Sequence, residues 1–276
     1  MRYRDFLRNK LSGIIPRSIV LPSGYHLVGN VALLNLDSSL MKYASFIGEK
    51  TLEYDQRILS VATKIGPTKS IKRIPSYELI AGDSNTITTH IEDGIKFRLD
   101  PLHITFSGGN RRERMRLSKL VKNEEKIVDM FSCVGQFALH IAKSADVEVI
   151  AIEINENAFQ FLLENIKLNG LGNRVVAVLG DCRKVHPKGT ANRIVMGYLH
   201  NTIEYLPFAL ETLVEDGGFI HMHMSMPESE VKDIMMKIEQ MCRIHGYSSS
   251  INAHYVKDYS PRIGHYVFDI TTSSEA

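Results

Sequence analysis

The chain has 276 residues, of which 33 are lysine or arginine and 31 are aspartate or glutamate, and 44% of its residues are hydrophobic. This composition is typical of a soluble globular protein with one large or two modest domains. No apolar run approaches the ~20 residues that cross a bilayer, so we expect no membrane span. Three scattered cysteines exclude a disulfide framework, and the N-terminus lacks the apolar core of a signal peptide, so we expect a cytoplasmic protein.

The first part of the chain, residues 1–99, is predicted to form a small α+β domain without a nucleotide-binding pattern. The predicted strands are residues 19–22, 27–34, 58–63, 78–81, 86–92 and 95–99, and the predicted helix is residues 39–54. The last two strands form a hairpin, because the Asp93-Gly94 dipeptide between them favours a tight turn. We expect this domain to position the substrate.

From residue 100 to residue 276, strands and helices alternate, which indicates a mainly parallel sheet covered by helices. The predicted helices are residues 111–122, 137–143, 156–169, 202–213 and 228–246, and six of the predicted strands are residues 147–153, 175–179, 193–198, 217–224, 248–256 and 265–270. A further strand, ending near Met130, comes first among the strands of this region. Seven strands that close in a C-terminal hairpin are typical of a Rossmann-like α/β domain.

The ends of the first three of these strands carry the features of a nucleotide-type site. After the first strand, the segment 131–136 turns through small residues, so that backbone can approach a ligand closely. Glu153 ends the second strand, where a carboxylate can bind both ribose hydroxyls, and Asp181 follows the third, where a carboxylate can bind an adenine amino group. Gly135 is the only glycine of the turn, which argues against a GxGxxG motif, and no P-loop Lys-Ser/Thr pair follows.

This order of residues predicts an S-adenosylmethionine site, and hence a Rossmann-like class I S-adenosylmethionine-dependent transferase domain over residues 100–276. The alternative is a purely structural βαβ unit, because carboxylates at strand ends are common in parallel sheets. The basic residues of the segment 96–126 favour a polyanionic substrate if they lie beside the site, and otherwise form a solvated helix face.

Several further segments carry specific sequence patterns. They are Leu-Pro-Ser-Gly-Tyr at 21–25, Glu-Asp-Gly-Ile-Lys-Phe at 92–97, the segment 106–116, Val-Asp-Met-Phe at 128–131, Tyr-Ser-Pro at 259–261 and His-Tyr-Val-Phe-Asp at 265–269. Through these segments the chain resembles the tRNA wyosine-synthesis aminocarboxypropyltransferases and the related tRNA guanine-37 N1-methyltransferases over nearly its whole length. Most of them are shared by both groups and do not discriminate between them.

The end of the fourth strand does discriminate. Met196-Gly197-Tyr198-Leu199 stands where the methyltransferases have an Asn-Leu-Pro or Asn-Pro-Pro turn, and it resembles the aminocarboxypropyltransferases, as do the segments 220–223 and 227–228. The turn 132–135 departs from the Ala-Gly-Ile-Gly that is commoner in the family. The resemblance implies transfer of the 3-amino-3-carboxypropyl group of S-adenosylmethionine to C7 of 4-demethylwyosine at position 37 of tRNA-Phe, with release of methylthioadenosine. Methylation of guanosine-37 and a non-catalytic tRNA-binding role are the alternatives.

The resemblance and the strand ends together imply a set of site residues. The expected cofactor-binding residues are Ser107, Arg114, Phe131, Cys133, Val134, Gly135, Glu153, Ile154, Asp181 and Cys182; Ser107 and Arg114 hold either the methionine end or the substrate. Gly197 and Tyr198 are the expected catalytic residues, at the point where the base enters, and Tyr198 either stacks on the base or is a buried aromatic residue.

The expected contacts to the anticodon loop of tRNA-Phe come from a set of basic residues, namely Arg111, Arg112, Lys257, Arg262 and His265. We expect no metal, because His221 and His223 alternate on a strand without a third ligand at a clear spacing. We also expect a monomer.

Overall fold

A computed structural model describes residues 1–275 of the chain, which divide into one unit from Met1 to Gly109 and a second that begins at Asn110. The first unit contains helices α1 (Tyr3–Lys10) and α2 (Ala44–Tyr54), a sheet of β1 (His26–Val28), β2 (Val31–Leu34), β3 (Ser60–Lys69) and β4 (Ile74–Gly82), and the hairpin β5 (Thr88–Glu92) and β6 (Ile95–Leu99). The buried side chains of Leu7, Leu34, Ile47 and Val61 join both helices to the sheet in one apolar cluster.

The predicted hairpin and the predicted helix at 39–54, which is α2, are confirmed, although the helix is preceded by a 3-10 turn over Ser38–Tyr43. The strand predicted at 19–22 is wrong, and helix α1 was not predicted. The missing strand has a clear cause, because arginines of α1 bind the backbone of that segment. Arg4 Nε donates to the Leu21 carbonyl at 2.9 Å, and Arg8 donates to the Ile19 carbonyl at 2.6 Å, in place of a neighbouring strand.

The second unit is a doubly wound domain around a seven-stranded sheet. Its helices are α3 (Arg111–Leu120), α4 (Ala138–Ser144), α5 (Glu156–Leu168), α6 (Cys182–Val185), α7 (Leu206–Thr212) and α8 (Val231–Ile244). Its strands are β7 (Lys126–Asp129), β8 (Glu148–Glu153), β9 (Val175–Leu179), β10 (Arg193–Met196), β11 (Gly217–Met226), β12 (Tyr247–Ser260) and β13 (Ile263–Ser274). The predicted Rossmann-like class is confirmed.

The sheet has the order β12-β13-β11-β10-β7-β8-β9, and β13 alone runs opposite to the other six strands, because it pairs antiparallel with both β11 and β12. The strand order therefore reverses between β7 and β10, which is the point where ligands bind in open α/β sheets. The carboxyl ends of β7 to β11 meet at one edge, so the residues that follow them share a site.

A continuous apolar cluster anchors this edge from one face of the sheet. The buried side chains of Met196, Met222 and Phe268 pack with Leu210 of α7 and Ile238 of α8. Burying an aliphatic side chain of this size stabilises a fold by roughly 1.5–3 kcal/mol, so the cluster gives the strand ends a rigid support. Within residues 1–275, no helix is both long enough and apolar enough to cross a membrane.

Candidate functional site

The turn after β7 depends on a backbone conformation that residues with large side chains rarely adopt. Cys133 and Gly135 both have left-handed backbone, with φ of 50° and 93°. A Cβ at Gly135 would lie 2.7 Å from Cγ of Leu139 and 3.0 Å from Cδ1 of Leu162, so the position requires glycine. Gly135 also donates its N–H to the Ser132 carbonyl at 2.7 Å, which closes the turn.

Glu153 ties this turn to the end of β8. Its Oε2 accepts the Cys133 N–H at 2.7 Å, and its Oε1 accepts the Asn155 N–H at 2.6 Å. The side chain is only 8% exposed, and burial raises the pKa of Glu153 although these backbone donors oppose the shift. The carboxylate is therefore fixed in one orientation while its further lone pairs can accept bonds from ligand hydroxyls.

Asp129, the last residue of β7, is a site feature to which the sequence pattern assigned no role. It is fully buried, and its Oδ1 accepts the Phe131 N–H at 3.2 Å, whereas Oδ2 has no hydrogen-bond partner among residues 1–275. Burial, reinforced by the charge of Glu153, raises the pKa of Asp129 to about 7. Its position could have identified Asp129 from the sequence, since it is the carboxylate at the end of the first strand of the second unit.

Asp181 stands at the end of β9 and begins helix α6. Its Oδ1 accepts the Arg183 N–H at 3.0 Å, and the Arg183 guanidinium lies 3.0 Å from Oδ1 and 2.5 Å from Oδ2. The hydrogen bonds from Arg183 lower the pKa of Asp181. Cys182 is buried, and that burial raises the pKa of its thiol to about 12, so it is a neutral packing group rather than a nucleophile.

The end of β10 supplies the fourth part of the site. A Cβ at Gly197 would lie 3.1 Å from Cε2 of Phe137, so glycine lets the ring of Phe137 approach the strand end. The ring of Tyr198 stacks on the ring of Phe131, with centroids 5.2 Å apart and planes inclined by 21°. An aromatic wall therefore joins the β7 turn to the β10 end.

The predicted basic residues divide into exposed and buried groups. Arg111 and Arg112 are exposed at the start of α3, and Arg262 is exposed in the turn between β12 and β13. Lys257 is half-buried, and burial lowers its pKa. Arg114 is only 1% exposed within α3.

The expectation that His265 contacts phosphate is wrong. Its side chain is fully buried, and its Nε2 lies 2.9 Å from Nδ1 of His223, within hydrogen-bonding distance. Burial, helped by the charge of Lys257, lowers the pKa of His265 to about 4, so the imidazole is neutral. A phosphate contact needs an exposed cation, and this residue is neither exposed nor charged.

A partly buried polar network that we did not predict ties α3 to the sheet. Arg116 of α3 donates to both carboxylate oxygens of Asp269 at 2.7 and 3.0 Å, and His221 Nδ1 donates to the same carboxylate at 2.6 Å. Arg193 donates to the other nitrogen of His221 at 2.6 Å, which fixes a neutral imidazole. Burial opposes ionisation of Asp269, but these donors hold its pKa well below the usual range.

Of the remaining predicted site residues, Val134 lies buried in the β7 turn and Ile154 directly follows Glu153 at the end of β8. Ser107 belongs to the first unit and is half-buried. The structure thus places the predicted residues of four strand ends along one edge of the second unit.

Comparisons with known proteins identify the family of the chain. Residues 88–249 match the TRM5/TYW2 methyltransferase domain, and residues 7–86 match the TYW2 N-terminal domain. The chain is 37% identical over 270 residues to the tRNA(Phe) (4-demethylwyosine(37)-C(7)) aminocarboxypropyltransferase of Pyrococcus horikoshii, covering 96% of this chain and 95% of that protein. It is 32% identical over 255 residues to the tRNA (guanine(37)-N(1))-methyltransferase Trm5b of Pyrococcus abyssi, covering 92% of this chain and 76% of that protein.

The solved structures give the same relationship. The crystal structure of P. horikoshii TYW2 in complex with MeSAdo superposes with a TM-score of 0.86 at 34% identity, covering 99% of this chain and all of that chain. The crystal structure of P. abyssi Trm5b superposes with a TM-score of 0.84 at 31% identity, covering 96% of this chain and 81% of that chain. The chain therefore belongs to the TRM5/TYW2 family.

Proposed function

We propose that this chain transfers the 3-amino-3-carboxypropyl group of S-adenosylmethionine to C7 of 4-demethylwyosine at position 37 of tRNA(Phe). The observation that carries this choice within the family is the end of β10, where Gly197 and Tyr198 replace the asparagine turn of the methyltransferases. An asparagine amide would hold guanine by hydrogen bonds, whereas Tyr198 offers an aromatic face to a larger base. The relative at 37% identity, matched along almost its whole length, carries the same activity in its name.

The residues of the second unit fit S-adenosylmethionine. Glu153 would accept hydrogen bonds from the ribose hydroxyls, and the small residues of the turn around Cys133 and Gly135 would let the backbone approach the sulfonium end closely. Asp181 and the buried Cys182 would border the adenine. Asp129 Oδ2, buried and without a partner within residues 1–275, is an acceptor that an ammonium group would satisfy.

The reaction depends mainly on how the base and the cofactor are placed relative to each other. When bound, S-adenosylmethionine supplies a sulfonium that is already an activated leaving group. Forming the bond at C7 of the base breaks a carbon–sulfur bond, leaves the electron pair on sulfur and releases the proton of C7. The Tyr198 and Phe131 wall would align the base with the attacked carbon, and such alignment supplies much of the rate in a reaction of this type.

The tRNA would be held through its phosphates. Arg111, Arg112 and Arg262 are exposed, and Lys257 is half-buried, so each can reach an anion from the second unit. Arg114 and Ser107 would bind the methionine end or the substrate. We further propose that the chain acts on the anticodon loop as a monomer, without a metal, in the cytoplasm.

Product analysis tests the reaction directly. The protein is incubated with S-adenosylmethionine and tRNA(Phe) that carries either guanosine-37 or 4-demethylwyosine-37, and the digested tRNA is analysed by mass spectrometry. We expect an aminocarboxypropyl addition to the second tRNA and methylthioadenosine in solution.

The second candidate is methylation of guanosine-37, which the 32% identity to Trm5b favours. Methylated guanosine in the first tRNA, with release of S-adenosylhomocysteine, would establish that activity instead. Activity on neither tRNA would favour a non-catalytic tRNA-binding protein.

A further inference from the structure

The aromatic wall at the end of β10 continues beyond Tyr198 to the C-terminal hairpin. The ring of His200 meets the ring of Tyr198 edge to face, with centroids 6.1 Å apart, and meets the ring of Tyr259 in the same way at 5.5 Å. The Tyr259 hydroxyl lies 3.0 Å from Nε2 of His200. Phe131, Tyr198, His200 and Tyr259 therefore form one row, which we call the aromatic row.

The hairpin is built to bring Tyr259 to this place. Strand β13 pairs with β11 only as far as Gly264, whereas its pairing with β12 continues to Ser260 and Ile263. Two register shifts, one after Tyr255 and one after Asp258, interrupt the β12 ladder just before the tip. Such bulges bend a strand and redirect its side chains, so the tip can leave the plane of the sheet.

The other half of the contact is also held in place. The loop after β10 runs beside β11, because the Ser225 N–H donates to the Leu199 carbonyl at 2.9 Å and the Ser225 hydroxyl donates to it at 3.1 Å. His200 follows directly in the chain. The hairpin tip and the β10 loop are thus joined at the outer end of the candidate base site.

Tyr259 is both exposed and part of the aromatic row, so a ligand of the base site can reach its ring. Tyr259 is 41% exposed, and Tyr198 and His200 are half-buried. Aromatic faces that are ordered by hydrogen bonds and still reachable from solvent are the surfaces on which single-stranded nucleic acids stack their bases.

We propose that Tyr259 and His200 form the outer wall of the base site and select the tricyclic base over guanine by stacking. This inference rests on the proposed function, because it assigns the occupant of the same site. A tricyclic base has a larger aromatic face than guanine. A second aromatic ring beyond Tyr198 therefore adds more stacking energy to the binding of the tricyclic base than to the binding of guanine. The hydrogen bond to His200 holds Tyr259 over the site, and the ring supplies the stacking.

Binding measurements with two matched tRNAs test this inference. They are tRNA(Phe) with guanosine-37 and the same tRNA with 4-demethylwyosine-37, and the Kd of each is measured for the wild-type protein, Tyr259→Ala and Tyr259→Phe. We expect Tyr259→Ala to weaken binding of the modified tRNA by about tenfold, within the range of base–aromatic stacking, while the guanosine-37 tRNA binds as before. Tyr259→Phe should retain most of the preference, because it keeps the ring.

Tyr255→Ala is the matched control. Tyr255 is a tyrosine of the same hairpin that is 51% exposed and bonds to Asp258 instead, so its loss should leave both Kd values unchanged. An unchanged preference in Tyr259→Ala would overturn the proposal, and so would an equal loss for the two tRNAs, which would indicate a general backbone contact.

Product analysis of the wild-type protein separates this inference from the proposed function. If the wild-type protein forms the aminocarboxypropyl product and Tyr259→Ala keeps the preference for the modified tRNA, the proposed role of Tyr259 and His200 is wrong and the proposed function stands. Failure of the wild-type protein to form that product overturns the proposed function and the outer wall with it.

Discussion

At the scale of single residues, the site depends on carboxylates that backbone N–H groups fix in place. Glu153 is the clearest case, because one side chain holds the β7 turn through Cys133 and the start of α5 through Asn155. A ligand that bonds to Glu153 therefore meets a group that has already lost its rotational freedom. Such preorganisation raises affinity, since less ordering is left to be done on binding.

Replacing Glu153 should weaken S-adenosylmethionine binding more than it weakens the fold. We expect Glu153→Gln to raise the Kd by roughly 10- to 150-fold, which corresponds to the roughly 1.5–3 kcal/mol of charged hydrogen bonds. Calorimetric titration measures this change. Glu156→Gln is the control, because it removes the same charge from an exposed position three residues away. Equal Kd values in the two variants would remove Glu153 from the cofactor site.

Asp129 should make the stability of the protein dependent on pH. Burial raises its pKa to about 7 in the folded state, against 3.8 for the ordinary carboxyl group. A raised pKa favours the protonated form, so its contribution is fully present below about pH 4 and is lost as the pH rises through 7. The loss is on the order of 2–4 kcal/mol.

Asp129→Asn should therefore raise Tm clearly at pH 8 and only slightly at pH 5, since the amide stays neutral and keeps an acceptor for the Phe131 N–H. Thermal unfolding at the two pH values measures the difference. A gain of the same size at both would show that the Asp129 carboxyl does not titrate between them.

At the scale of elements, the strands of the second unit were predictable because their apolar runs end at small residues or carboxylates. Those ends located the β7 turn, Glu153 and Asp181. Helix α1 was not predicted, because only Tyr3 and Leu7 within it are buried while most of its other residues are polar. Its arginines then displaced the strand expected at 19–22.

His265 shows a second reason why part of the structure could not be predicted from the sequence. All residues from Gly264 to Phe268 in β13 are buried, so no alternation of polar and apolar side chains marks which face His265 takes. Its pairing with His223 depends on the register of β13 with β11, in which His223 lies opposite Val267. The Arg116–Asp269–His221 network was equally out of reach, because Arg116 and Asp269 lie 153 residues apart in the chain.

At the scale of the whole molecule, the formal charge of +2 does not indicate a nucleic-acid partner. The distribution of charge is more informative, because Arg111 and Arg112 lie exposed at the start of α3. Helix α3 is also joined to the sheet through Arg116 and Asp269, which gives these arginines a fixed support. A small positive net charge can therefore accompany a local cluster of exposed arginines at a fixed place on the domain.

Binding of tRNA should consequently depend strongly on salt. We expect the double variant Arg111→Ala with Arg112→Ala to flatten the slope of log Kd against log salt by about 0.7–0.9 for each phosphate that the protein no longer neutralises, because fewer counterions are released on binding. Lys237→Ala with Arg243→Ala is the matched control, since it removes two positive charges that are exposed on α8. A slope that the double variant leaves unchanged would assign Arg111 and Arg112 to ordinary solvated surface. A slope that the α8 double variant flattens equally would show that net charge, rather than the start of α3, attracts the tRNA.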